Sequence, residues 1–166
     1  MKNNGNNLQE FYIGDDFGDD FLDDTLNAAI AKFCPRIRKL FVGFQEKETL
    51  ITIFNNCLKL ESLKVWCCGD YIDDKAIMEA VIKYSPKNFY DIKLCYSYDM
   101  QSELTPEDLE SFFTGWIDRD PLSLALIHNS LDGSAVEINK DNINVINKYI
   151  ELGIVKEFEI LNQYLD

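Results

Sequence analysis

Residues 34–42 read Cys-Pro-Arg-Ile-Arg-Lys-Leu-Phe-Val, and this stretch decides the fold because its pattern recurs along the chain. Residues 57–65 repeat it as Cys-Leu-Lys-Leu-Glu-Ser-Leu-Lys-Val, and residues 85–94 repeat it as Ser-Pro-Lys-Asn-Phe-Tyr-Asp-Ile-Lys-Leu. The three copies share one apolar template, L-x-x-L-x-L, in which L stands for any large apolar residue. Such internal self-similarity predicts a repeat architecture.

Weaker copies extend the series in both directions. One starts at Leu8, one at Val155, and a degenerate one lies within residues 122–127. The first apolar positions of the six copies are 8, 37, 60, 89, about 122 and 155. The intervals between these positions are 29, 23, 29, about 33 and about 33 residues. The first three are typical of leucine-rich repeats. The last two slightly exceed the usual range, which indicates longer helices or loops at the C-terminal end.

The segments between the copies have helical spacing of their apolar residues. The pattern predicts helices over residues 25–33, 48–56, 73–84 and 141–152, with Gly153 as the stop, and another that begins at Thr105-Pro106. Each unit is therefore one short strand and one helix. The predicted fold is α/β: a leucine-rich-repeat solenoid of about five to six repeats, with a short parallel sheet on the concave face and helices on the convex face. Residues 1–7 are expected to be a disordered polar N-terminus, and residues 8–166 a single domain.

The repeat phrases resemble the cysteine-containing class of leucine-rich repeats found in F-box substrate receptors. Residues 63–74 fit that class, with L-x-L-x-x-C followed by a turn and a helix. More narrowly, residues 53–57, 63–67, 84–89 and 109–113 are similar to phrases in the expanded F-box and leucine-rich-repeat proteins of arbuscular mycorrhizal fungi. The resemblance covers roughly residues 30–160, and nothing in residues 1–30 matches an F-box.

This resemblance implies a non-catalytic module that recognises substrates for a ubiquitin ligase, and it implies binding to the ligase adaptor only if an F-box is supplied elsewhere. The chain would then be a truncated paralogue, a fragment or an independent decoy. The alternative is an orphan leucine-rich-repeat scaffold or regulatory protein with no connection to ubiquitin.

Side chains that point away from the helices should line up across neighbouring strands, because alternate residues of a strand face opposite sides of the sheet. We expect Lys39, Ser62 and Asp91 to share one row, Phe41, Lys64 and Lys93 the next, and Gly43, Trp66 and Cys95 a third. Tyr12 would extend this surface at one end, and Glu157 and Glu159 at the other.

Basic and aromatic side chains on this surface suit the binding of an acidic partner protein. The predicted partner-binding residues are Lys39, Phe41, Lys64, Trp66 and Lys93; the competing interpretation is that the lysines only solvate the sheet and that Trp66 packs under a loop.

Charge and hydropathy exclude several other classes of partner. The 166 residues carry 16 basic and 29 acidic side chains, a formal net charge of -13, which disfavours binding to nucleic acid or anionic lipid. No stretch has the length and apolarity of a membrane span, and the start of the chain lacks the apolar core of a signal peptide. We therefore expect an intracellular protein, cytoplasmic or nuclear, with reduced cysteines.

No residue pattern indicates an enzyme, a cofactor or a metal site. Cys34 and Cys57 occupy the same position of the repeat, which favours a buried structural role over nucleophilic chemistry, and His128 lies in the least regular copy. The aspartates between positions 15 and 24 lack the spacing of a calcium-binding loop and are expected to favour the N-terminal end of the first helix. They are Asp15, Asp16, Asp19, Asp20, Asp23 and Asp24.

Overall fold

The computed structural model describes residues 5–13, 24–67, 71–97, 100–129 and 137–162. Within these ranges the chain alternates between six β-strands and five α-helices, so it is an α/β protein. None of the described helices is long and apolar enough to cross a membrane. The strands are β1 (Glu10–Tyr12), β2 (Lys39–Gly43), β3 (Ser62–Trp66), β4 (Asp91–Ser97), β5 (Leu122–Asn129) and β6 (Val155–Asn162); the helices are α1 (Thr25–Phe33), α2 (Lys47–Asn56), α3 (Asp74–Tyr84), α4 (Pro106–Trp116) and α5 (Lys140–Glu151).

All six strands form one parallel sheet in which the spatial order is the order along the chain, from β1 to β6. Each of the first five strands is followed by a helix and then by the next strand. The pairing is regular except between β5 and β6, where the register shifts between Leu122 and Ser123. The predicted parallel sheet is confirmed, and the predicted helix boundaries agree with the structure to within one residue.

The helix ends follow local rules that are visible in the sequence. At the start of α4, the Thr105 side chain accepts a hydrogen bond from the Asp108 backbone, and the Asp108 carboxylate accepts one from the Thr105 backbone. This reciprocal cap, with Pro106 at the first helical position, satisfies N–H groups that the helix itself cannot pair. At the other end of the chain, Gly153 ends the turn after α5 with a φ of 72°, a conformation that glycine adopts without steric cost.

The helices all cover the same face of the sheet, and one apolar core fills the space between the two layers. Every second residue of a strand enters this core. Cys34 and Cys57, in the turns that precede β2 and β3, are buried in it as well. Burial of each such side chain contributes about 1.5–3 kcal/mol relative to exposure, so the layers stabilise each other. The buried strand residues of the three clearest repeats are Leu40, Val42, Leu63, Val65, Ile92 and Leu94.

The first described residues correct one expectation. Residues 5–7 were expected to be disordered, but Gly5–Asn7 forms a 3-10 turn with Gly5 buried. A Cβ at Gly5 would lie 2.3 Å from the Phe33 carbonyl oxygen, so only glycine lets the backbone approach α1 this closely. The turn therefore covers the N-terminal end of the helix layer; residues 1–4 lie outside the described part.

A buried carboxylate fixes the segment between β4 and α4. Asp74, the first residue of α3, is buried, and its Oδ2 atom accepts hydrogen bonds from the Tyr96 hydroxyl at 2.9 Å, the Ser102 hydroxyl at 2.8 Å and the Glu103 backbone N–H at 3.1 Å. Tyr96 belongs to β4, and the other two donors precede α4. One side chain thus connects α3, β4 and the segment that leads to α4.

Candidate functional site

The strand face, defined as the side of the sheet opposite the helices, carries three rows of side chains that run across the strands. The register places them as the sequence predicted. This register is confirmed; binding of a partner at these positions stays a prediction. The first row is Glu10, Lys39, Ser62, Asp91, Ser123 and Glu157; the second is Tyr12, Phe41, Lys64, Lys93, Ala125 and Glu159; the third is Gly43, Trp66, Cys95, Ile127 and Leu161.

The first row is occupied by polar pairs between neighbouring strands. Lys39 forms an ion pair with Glu10 at 3.0 Å, and this hydrogen bond raises the pKa of Lys39 and lowers that of Glu10. Both side chains are half exposed, so the pair adds little to stability. Two serine hydroxyls donate to carboxylates along the same row, Ser62 to Asp91 at 2.6 Å and Ser123 to Glu157 at 2.6 Å.

The second row brings two lysines side by side. Lys64 and Lys93 are direct partners in the register of β3 and β4. The Lys64 ammonium lies 4.1 Å from the centre of the Phe41 ring, and the Lys93 ammonium lies 3.8 Å from Asp91 Oδ2. Like charges directly opposite each other on a sheet destabilise it by a few tenths of a kcal/mol to about 1 kcal/mol. This row therefore places two ammonium-bearing side chains next to each other on the strand face.

The two predicted aromatic anchors are not exposed. Phe41 retains 5% and Trp66 retains 9% of its surface, and their rings pack 5.4 Å apart in a second apolar cluster on the strand face. Tyr71 packs against this cluster, and it lies so close to Gly43 that a Cβ there would be 2.2 Å from its ring. Phe41 and Trp66, both predicted to bind a partner, therefore offer little surface for direct contact. The Phe41 ring lies beneath the Lys64 ammonium, and the packed Trp66 agrees with the competing interpretation.

The exposed aromatic side chains near Lys39 are two tyrosines, Tyr12 and Tyr90. Tyr12 is 56% exposed and stands at the β1 end of the second row, as the sequence predicted. Tyr90 is 41% exposed and directly precedes β4; sequence reasoning missed it because the repeat template leaves that position undefined. At the equivalent position before β2, Arg38 forms an ion pair with Glu61 at 2.7 Å.

The thiols of the repeat phrase are buried, as predicted. Cys34 and Cys57 are free thiols with no exposed surface, and the Cys57 thiol lies 3.7 Å from the Cys34 carbonyl oxygen. Burial raises the pKa of Cys34, and it raises that of Cys57 to about 12. Because the thiolate is the nucleophile, these two side chains are suited to packing and not to catalysis.

This leads to a measurable expectation for Cys57. At pH 8 a thiol with a pKa of about 12 is ionised in only about one molecule in ten thousand, against roughly one in four for an ordinary thiol. We therefore expect the folded chain to leave Cys57 unmodified by iodoacetamide at pH 8, while the chain in guanidinium reacts at the rate of a free cysteine; peptide mass spectrometry distinguishes the two. Rapid alkylation of Cys57 in the folded chain would contradict this placement.

Of the aspartate series, the structure describes Asp24, which lies at the N-terminal end of α1 as expected. Asp15 to Asp23 lie outside the described residues. Asp24 directly precedes α1 but makes no capping hydrogen bond to it. Its carboxylate instead accepts the backbone N–H groups of Gln45, at 3.2 Å, and Glu46, at 3.0 Å, and so joins α1 to the entry of α2.

The helix side carries a groove. It has a volume of about 670 Å³ and lies over α3, between α2 and α4. Its rim holds two ion pairs between neighbouring helices, Lys47–Glu79 at 2.5 Å and Lys75–Asp108 at 2.6 Å. Lys75 lowers the pKa of Asp108 through their hydrogen bond. These charges pair with each other across the helices, so the rim favours neither anionic nor cationic ligands.

In the described part of the chain, no three histidine, cysteine or acidic side chains come together in a way that could hold a metal ion. His128 is buried within β5. The sequence matches no protein-family model, and it matches neither a curated protein nor a solved structure.

Proposed function

We propose that the chain is a leucine-rich-repeat solenoid that binds another protein on its strand face. The observation that carries this proposal is the arrangement of the two layers: parallel strands follow one another in chain order, and every helix covers the same face. The opposite face then presents equivalent positions of successive repeats as continuous rows. Repeat proteins use such surfaces for extended contacts with partners.

The chemistry of the second row suggests the kind of partner. Lys64 and Lys93 are neighbours at the centre of the sheet, and a carboxylate of a partner could contact both side chains there. The mean field of a chain with a net charge of -13 opposes nucleic acid, so an acidic patch on a protein is the better candidate. Burial of Cys34 and Cys57 also favours binding over catalysis.

The resemblance of the repeat phrases narrows the proposal to the substrate-recognition part of an F-box ubiquitin-ligase receptor. In that case the chain selects the target, and an F-box supplied elsewhere would connect it to the ligase adaptor. The alternative is an orphan scaffold or regulator that uses the same face without ubiquitin. Binding of purified adaptor to the complete native protein separates them: the receptor requires it, and the scaffold does not.

Reversal of two charges tests the binding face. We expect the double variant Lys64→Glu, Lys93→Glu to lower affinity for the native partner by about tenfold or more, with a weaker dependence on salt, because both contacts become repulsive. Partners captured from the native organism and identified by mass spectrometry supply the ligand, and calorimetry with the purified partner supplies the affinity.

The matched control changes the same charges elsewhere. Lys59 and Lys87 are exposed in the turns before β3 and β4, so Lys59→Glu, Lys87→Glu alters the net charge equally but leaves the second row intact. This control should bind like the native chain. Equal loss of affinity in both double variants would show a general effect of charge and would rule out the second row as the binding site.

A further inference from the structure

The two ends of the layered chain differ. At the N-terminal end, the 3-10 turn packs on α1. At the C-terminal end, β6 pairs with β5, and in the described part of the chain no strand lies along its other edge. An eight-residue strand with one open edge offers a row of backbone N–H and C=O groups for pairing.

Helix α5 also has one flank that the described chain leaves open. Its other flank contacts α4: the Tyr149 ring packs 5.0 Å from Phe113, and Lys148 pairs with Glu110. At 3.6 residues per turn, Ile143 and Ile150 lie on the flank away from α4. Ile150 is 37% exposed, whereas an isoleucine beside another helix would be buried.

The open edge of the sheet continues this apolar surface. Phe158 and Ile160 of β6 are paired in register with Leu124 and Leu126 of β5, and they therefore hold positions on the helix side of the sheet. Leu124 and Leu126 are buried, but Ile160 is 37% exposed. The apolar layer between sheet and helices thus reaches solvent at this end.

The charges on α5 indicate what covers it. Lys140 is the first residue of the helix and Glu151 the last, and both are exposed. Their separation of about three turns places them on one side of the helix, the solvent-facing side that borders the flank of Ile143 and Ile150. Neither forms an ion pair with another described residue. A second α5 in antiparallel orientation would bring each Lys140 to the Glu151 of the other copy and each Ile143 to the other Ile150.

We infer that two copies of this chain join end to end about a two-fold axis, with β6 antiparallel to β6 and α5 antiparallel to α5. The contact is self-complementary, as a two-fold interface must be. It joins the two sheets and covers the apolar side chains at the end of each. This surface is separate from the strand face, so it stands independently of the proposed function.

Sedimentation equilibrium of the complete chain tests the dimer over a range of concentrations up to about 1 mM. The native chain should dimerise, and Ile150→Asp with Ile160→Lys should leave a monomer with an unchanged circular dichroism spectrum, since both side chains already contact water. Leu58→Asp is the matched control, because Leu58 is 63% exposed far from this end of the sheet, and it should dimerise normally. A native monomer at the highest concentration, or a dimer that survives the end variant, would overturn the inference.

A charge exchange tests the orientation of the helices. Lys140→Glu alone and Glu151→Lys alone should each raise the dissociation constant about tenfold, because each creates two like-charged contacts per dimer. The double variant Lys140→Glu, Glu151→Lys should return to within about twofold of the native value, since the pairs are restored with reversed sign. If the double variant is as weak as the single ones, the antiparallel pairing is wrong.

Discussion

Replacement of Trp116 with alanine is expected to lower the free energy of unfolding by about 4 kcal/mol. Trp116 ends α4 with no exposed surface, and its ring stacks on Phe112 at 5.8 Å. Its Nε1 atom donates a hydrogen bond to the Asp120 carbonyl at 2.8 Å, and the Arg119 guanidinium covers the ring at 3.8 Å. Alanine would therefore leave a cavity and an unpaired carbonyl. A domain of this size is stable by only about 5–15 kcal/mol, so the loss is a large fraction.

Urea unfolding followed by circular dichroism measures this change. Trp116→Phe keeps most of the buried ring and should cost roughly half as much, because only the hydrogen bond and part of the volume are lost. Ile117→Ala is the neighbouring control, since Ile117 is exposed, and it should stay within about 0.5 kcal/mol of the native chain. A Trp116→Ala chain as stable as that control would mean that the end of α4 is not packed as described.

Replacement of Asp74 with alanine is expected to cost about 3 kcal/mol, although it removes only one small side chain. The carboxylate accepts three hydrogen bonds at one oxygen, and its removal leaves the Tyr96 hydroxyl, the Ser102 hydroxyl and the Glu103 N–H without that acceptor. Buried polar groups that lose a partner cost about 1–3 kcal/mol each, partly recovered where water enters. The segment between β4 and α4 should also exchange its amide hydrogens faster.

Two further variants separate this effect from a general loss of charge. Tyr96→Phe removes one of the three donors and should cost about 1 kcal/mol. Asp118→Ala removes an exposed carboxylate near the end of α4 and should change stability by less than about 0.5 kcal/mol. Similar costs for Asp74→Ala and Asp118→Ala would contradict a structural role of the buried carboxylate.

The backbone of this chain was predictable because the rules that set it are local or repeated. The template L-x-x-L-x-L fixes which strand residues enter the core, and its recurrence fixes the register between strands, so Lys64 could be placed opposite Lys93 from sequence. Helix α1 has the predicted bounds because its apolar residues have helical spacing and the strand template begins directly after it, at Cys34. Helix α4 was found from its proline and its capping residues.

The candidate site was less predictable because its character depends on what packs over the sheet. Alternation places Trp66 on the strand face, but it cannot say that Trp66 is buried there. The bond between Asp74 and Tyr96 joins residues 22 positions apart, and no spacing rule relates them. The template places Glu10 opposite Lys39, but it does not say that their side chains form an ion pair.

The strands lengthen from three residues in β1 to eight in β6, and this gradient has a consequence for how the molecule opens. Each repeat is held chiefly by its neighbours in sequence, so a short strand contributes fewer cross-strand bonds to resist local opening. Thermal fluctuations should therefore peel the chain from β1 inward, with β4 and β5 the last to separate. A protease that cleaves open segments should then shorten the molecule from the β1 end, and the longer strands should remain as the resistant fragment.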